Sequence, residues 1–156
     1  MTSPNIVREP GPTYRRPISV LVVIFTDDSQ VLLLRRYQPF DFWQSVTGSL
    51  NNDESHADAA ARELQEETGF IEEGELRYSE VSRRFVIDPR WRDRFAPGVV
   101  ENVEFEWRYR LRAVSEIKLN KEEHAEYRWL PIDEAIETVW SWTNRDAIKQ
   151  LKADLS

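Results

Sequence analysis

"SHADAAARELQEETGF", Ser55 to Phe70, is the stretch on which the reading of the chain turns. It is built from strong helix formers and stops at Gly69, the residue type that most often follows a last helical turn. On a helix advancing 100° per residue, Glu63, Glu66 and Glu67 fall within one arc of about 100°. Like charges at such spacings repel by roughly 0.2–0.5 kcal/mol a pair. Ala57, Ala60, Ala61, Leu64 and Thr68 occupy the neighbouring arc, which predicts a helix lying close on a sheet with its carboxylates at the sheet's edge. A solvated acidic face is the ordinary reading of a Glu-rich helix. Two features favour a cation site: the alanines permit close approach, and the helix is entered through the glycine turn of "VTGS", where backbone carbonyls are exposed. Clustered oxygen ligands suit magnesium or manganese, hard cations that prefer carboxylate, carbonyl and water.

Upstream, "PISVLVVIFT" (17–26) is β-branched and nearly all apolar, which predicts a strand covered on both faces. "VLLLRRY" follows across the polar "DDSQ" as the partner in a hairpin, and "FWQSVTGSL" reads as one short strand entering the glycine turn. Downstream, "LRYSEVSRRFVI" and "VENVEFEWRYRLRAV" read as strands, and the second alternates so that one face should be buried and the other wet. "DPRWRDRFAPGV" is a predicted loop and "AEYRWLPI" a short strand; "DEAIETVW" and "NRDAIKQLKADL" are closing helices, with Thr143 and Asp146 as a capping box for the last. The order β-β-β-α-β-β-β-α-α predicts an α/β architecture with a mixed sheet and helices on its faces.

With 156 residues the chain fits one domain, expected over 14–156 behind a flexible leader at 1–13. A net charge of −7 argues against a nucleic-acid polymer as partner. There is no cysteine, and the longest apolar run, "VLVVIF", is too short to span a bilayer. A soluble cytoplasmic protein is the expectation.

Gly48, Glu54, Arg62, Glu63, Leu64, Glu66, Glu67, Gly69 and Phe70 fit the Nudix box, G-x5-E-x7-R-E-U-x-E-E-x-G-U, with an aromatic Phe70 where an aliphatic residue is commoner. A chance match to seven fixed identities is on the order of one in 10⁸ per starting position. The chain therefore resembles the Nudix hydrolases. That resemblance implies an α/β/α sandwich and hydrolysis of a nucleoside diphosphate linked to another group. It also implies divalent metal on Glu63 and Glu67, with Glu66 a further ligand or the group that positions water. The Gly48 carbonyl is implied as an added ligand, and Glu54 with Arg62 as a brace between loop and helix.

Outside the box, "YRRPISVLVVI", "VLLLRR", "FWQSVTGS", "RFAPGV", "EEHAEYRWL" and "SWTNRDAI" resemble the Nudix branch that removes pyrophosphate from dihydroneopterin triphosphate. This likeness implies a small-molecule triphosphate, pterin or purine nucleotide, as partner. It implies Glu123 as a third metal ligand, with Glu122 the competing match. Arg15, Arg35, Thr47 and Ser141 are implied as substrate contacts, and Phe85 to Asp88 as a lining segment that departs from the branch's pattern. A (d)NTP pyrophosphohydrolase is the nearest alternative; a binding domain without turnover would ordinarily have lost box glutamates. Of two histidines, His124 is expected near the metal and His56 at the surface. The six tryptophans, "FDFW" and "WSW" among them, suit either a core or a flat ring.

Overall fold

The computed structural model describes residues 13–156; of the expected leader, residues 1–12 lie outside the described residues. The elements are β1 (Ile18–Thr26), β2 (Gln30–Arg36), β3 (Phe42–Gln44), β4 (Val46–Ser49), α1 (His56–Thr68), β5 (Glu75–Val86), β6 (Glu101–Leu111), β7 (Glu126–Pro131), α2 (Ile132–Thr138) and α3 (Trp142–Leu155). A 3₁₀ turn, Pro89–Arg94, lies between β5 and β6. The strands form one seven-stranded mixed sheet with β1 at its centre, paired along its length with parallel β6.

The other edge of β1 is divided. β1 meets β2 beside the hairpin turn, Phe25 opposite Val31, while its first half pairs with β4, Ser19 opposite Ser49 through Val22 opposite Val46. β3 pairs with the far end of β2. What reads as one strand in "FWQSVTGSL" is therefore two, broken at Ser45 where the chain leaves the ladder of β2 for that of β1. A buried residue between ladders needs other partners for its polar groups. Asn144 supplies them: its Oδ1 accepts from the Ser45 N–H at 2.8 Å, and its Nδ2 donates to Ser45 Oγ at 2.9 Å.

Each sheet face carries its own core. Val20, Val22 and Ile24 join Leu32, Leu34, Trp107 and Tyr109 under Ala59, Ala60 and Leu64 of α1. Leu21, Val23, Phe25, Val31 and Leu33 pack against Ala135 of α2 and Ala147, Ile148 and Leu151 of α3. The expected α/β/α sandwich is the observed one. Ala59 takes the packing place expected of Ala57 and Ala61, which are exposed. Ser141, not Thr143, caps α3, which starts earlier than its sequence pattern indicates.

The expected wet face of β6 is dry as far as Glu106 and reaches solvent at Arg110. Asn102, Glu104 and Glu106 are 3 %, 6 % and 1 % exposed. Their register explains it: Glu104 lies beside Ser19 and Glu106 beside Leu21. A strand hydrogen-bonded to one that is covered on both faces lies under the same helices. Arg83 of β5 pairs with Glu106 at 2.8 Å, and Arg108 reaches Asp154 of α3 at 2.8 Å, so the buried charges are matched in part.

Candidate active site

α1 begins at Ser55, whose Oγ accepts from the Asp58 N–H at 3.1 Å, and ends at Gly69, held at φ 81° with its N–H on Gln65 O. Between them the three box glutamates divide. Glu63 and Glu67 are buried, and Glu66 is exposed. Arg62 organises this end of the helix. Its guanidinium grips Glu54 through Nε at 2.8 Å and Nη2 at 2.9 Å, reaches Glu63 at 2.7 Å and Glu66 at 3.3 Å, and donates to Ser49 O at 3.1 Å. Glu54 also accepts the Asn51 N–H at 2.9 Å. Hydrogen bonds from Arg62 hold the Glu54 carboxyl down at about 2 despite some burial, so this brace is ionised at any working pH. Loop, helix and β4 are thus fastened by one side chain.

Glu63 lies against Gly48, where a Cβ would collide with the carboxylate. Burial pushes Glu63 up to about 7, more strongly than Arg62 pulls it down. Glu67 is 2 % exposed, and its Oε2 stands 2.6 Å from His124 Nδ1. Neither atom has a hydrogen bond of good geometry among the described residues. Glu123, on the loop before β7, hydrogen-bonds Glu67; burial and this second carboxyl drive Glu67 up, while the same bond draws Glu123 down. Burial and the Arg36 charge push His124 down to about 4, so its ring is neutral. Ligand atoms of Glu67, Glu123 and His124 lie within 4.8 Å of one another. Carboxylates that crowd, bury and share a proton are poised for a cation, and the orphaned Glu67 oxygen and the glycine cradle at Glu63 fit one. Two of these three groups are carboxylates, hard oxygen donors suited to a divalent ion, and the third is an imidazole.

Two cavities meet here. A polar cleft of about 350 Å³ is bordered by Glu63, Glu66, Glu123, Arg62, Arg15 and Arg36. An aromatic cavity of about 360 Å³ on the α3 side of the sheet is walled by Phe42, Phe85, Trp91, Phe95, Trp140 and Trp142. Arg15, Arg36, Thr47, Gly48 and Ser49 border both, forming a seam between them. The Trp91 and Trp140 rings sit 5.4 Å apart, and Phe42 lies within 5.7 Å of each. The floor is polar: Ser19, Gln44, Asn102, Glu104 and Asn144.

Glu63, Glu66, Gly48, Glu123, Arg15 and Thr47 border the polar cleft, and Phe85 and Ser141 border the aromatic cavity. Ser141 Oγ is already engaged, capping α3 and lying 2.8 Å from Thr143 Oγ1. Arg35 is a correction. It is fastened to Glu126 at 2.7 Å and to Asp41, and borders neither cavity, whereas its neighbour Arg36 borders both. Successive strand residues point to opposite faces, so a one-residue choice decides which arginine meets the cleft. His56 is half-buried rather than on the surface: its ring stacks on Phe105 at 4.1 Å, and its Nδ1 accepts the Trp107 indole N–H at 3.0 Å. Trp43, Trp107 and Trp129 pack with the two cores, while Trp91, Trp140 and Trp142 wall the cavity. Sequence reasoning missed Arg36 and Glu104.

This fold and site belong to a known class. The NUDIX domain model matches residues 15–151, and the chain belongs to the Nudix family, as a pyrophosphohydrolase. The protein is similar to the dihydroneopterin triphosphate diphosphatase of Escherichia coli K12, 40 % identical over 141 residues that cover 88 % of this chain and 93 % of that one. The Haemophilus influenzae protein of the same name is 36 % identical, covering 88 % of each chain. The structure of the E. coli dihydroneopterin triphosphate pyrophosphohydrolase superposes with a TM-score of 0.85 at 38 % identity, covering 91 % of this chain and 99 % of that one.

Proposed function

We propose that the protein is a magnesium-dependent pyrophosphohydrolase of dihydroneopterin triphosphate, which water splits into the monophosphate and pyrophosphate. One observation carries the reading beside the likeness to its relatives. A cleft of glutamates and arginines and an aromatic cavity share a seam of Arg15, Arg36, Thr47, Gly48 and Ser49, a shape for a polyphosphate tail joined to a flat ring.

In this reading Glu63, Glu67 and Glu123 would hold the magnesium, with the Gly48 carbonyl as an added ligand. The bound ion supplies charge neutralisation on the phosphate oxygens and a lowered pKa for water. Arg62 holds Glu63 in place through its grip on Glu54 and Ser49 O. Neutral His124 lies against the buried oxygen of Glu67, its Nδ1 at 2.6 Å. Arg15, exposed, and Arg36, half-buried, both at the seam, offer guanidinium groups to the tail's oxygens at the junction with the ring. The exposed Glu66 is the carboxylate placed to hold and orient a water molecule. Trp91, Trp140 and Phe42 receive the ring by stacking. No helix among the described residues is long and apolar enough to cross a membrane, and a cytoplasmic setting fits a cysteine-free chain.

Stacking walls accept any flat base, so a (d)NTP substrate is the second reading. Purified protein with magnesium, offered dihydroneopterin triphosphate and dATP, should release pyrophosphate from the pterin with the higher kcat/KM. No release from the pterin, or a preference for dATP, defeats the first reading.

A further inference from the structure

Glu104 is a carboxylate that the hydrolytic chemistry does not use. It stands on β6 in the floor of the aromatic cavity, 6 % exposed. The Thr143 hydroxyl hydrogen-bonds its carboxyl, yet Oε1 is buried with no partner among the described residues. Arg83, the nearest compensating charge, is spent on Glu106 at 2.8 Å. A buried acceptor without a donor is costly, and more so if charged. A fold retains such a group where a ligand provides the donor.

The sheet gives its distance from the cleft. Ser49 of β4 pairs with Ser19 of β1, and Ser19 with Glu104, so the three lie in one row on the α3 side. Two strand spacings, about 10 Å, separate Glu104 from the seam. A bicyclic ring with a short side chain, its phosphates at the seam, spans that length edge-first. Aromatic walls confine the ring's faces, so only its far edge meets the floor.

We infer that Glu104 reads that far edge, accepting two parallel N–H donors from a 2-amino-4-oxo-pyrimidine, the N3–H and 2-amino group of a pterin. A carboxylate offers two acceptors side by side, and this edge offers two donors at matching spacing. Guanine presents the same pair. Adenine presents a donor beside an acceptor, and a 2,4-dioxo ring places a carbonyl against the carboxylate. Burial holds Glu104 up at about 7, and two ring donors would draw it toward its ionised form. The assignment rests on the pterin reading above and supplies what the stacking walls lack, a means of telling one flat ring from another.

The test uses two free rings and the metal-free protein: pterin, and lumazine, its 2,4-dioxo counterpart, titrated by fluorescence or calorimetry. Wild-type protein should bind pterin at least about tenfold more tightly than lumazine, as hydrogen bonds to a charged group require. Glu104→Gln places an amide donor beside a carbonyl, so it should weaken pterin about tenfold and reverse the preference toward lumazine. Equal affinities in the wild type, retention of neither ring up to its solubility, or a folded variant with the wild-type ratio would each overturn the assignment. If Glu104→Gln fails to fold, the wild-type comparison decides alone. Pyrophosphate release from dihydroneopterin triphosphate is measured alongside. Turnover with no ring preference sinks this assignment and leaves the enzyme; a ring preference without turnover does the reverse.

Discussion

The two faces of the sheet recruit their working residues differently. On the α1 side, Gly48, Glu54, Arg62, Glu63, Glu66 and Glu67 come from one run of chain, and the Arg62 guanidinium ties Glu54, Glu63 and Glu66 together. On the α3 side, the aromatic cavity takes Phe42, Phe85, Trp91, Glu104 and Trp140 from separate elements. Gripping a polyphosphate tail needs several carboxylates at fixed mutual distances, and one helix provides that spacing from its own period. Recognising a flat ring needs walls and a floor from different directions, which a single segment does not provide. Most of the carboxylates at the cleft are therefore local in the sequence, with Glu123 arriving from a distant loop, and the walls of the cavity are not local at all.

The largest test of this contrast is at Glu67. Glu67→Gln, or removal of divalent metal with EDTA, should lower kcat on the order of 10³-fold while ring binding is unchanged; a kcat within tenfold of wild type would break the division between the faces. Trp140→Ala should act oppositely, raising KM about tenfold with kcat nearly constant, since one stacked base is worth about 1–3 kcal/mol. An equal fall in kcat would mean that the walls take part in the chemistry. At the seam, Arg36→Ala should raise KM about tenfold and Arg35→Ala less than about threefold, by the phosphate geometry above; a larger effect at Arg35 would restore the sequence expectation.

The smallest effect is in stability. Glu63 and Glu67 have folded values raised above the ordinary 4.5, Glu63 to about 7, chiefly by burial. The native metal-free protein therefore binds more protons than the unfolded chain in this window. The stability linked to these protons is complete below about 4.5; the Glu63 share is lost as pH rises through about 7 and the Glu67 share at higher pH, while neutral buried His124, held down at about 4, offsets part of the fall below 6.5. Metal-free Tm should fall by several degrees between pH 5 and 8, and magnesium should raise Tm more at pH 8 than at pH 5. A metal-free Tm that rises over that window would contradict the buried placement of both carboxylates.

Legibility followed the same divide. The clustering of Glu63, Glu66 and Glu67 was readable from helical spacing, and the Glu54–Arg62 pair from the likeness to the Nudix box. The sandwich was readable from the two-sided apolar run at 17–26 and the amphipathic helices. Arg36 was not, because adjacent arginines in a strand differ only by face. Glu104 was not, because alternation reports that two faces differ and not that one is wet; only the pairing of β6 with β1 reveals that charges lie beneath α3. That signal existed in principle, since a strand covered on both faces must have neighbours covered too. The break at Ser45 depends on Asn144, 99 residues away, and no local pattern announces it.

The Ser45–Asn144 clasp has a mechanical consequence. Asn144 belongs to the first turn of α3, beside Trp140 and Trp142, and it clamps the kink from which the chain runs straight into Gly48. The rim that receives the ring and the turn that cradles Glu63 are thereby geared together.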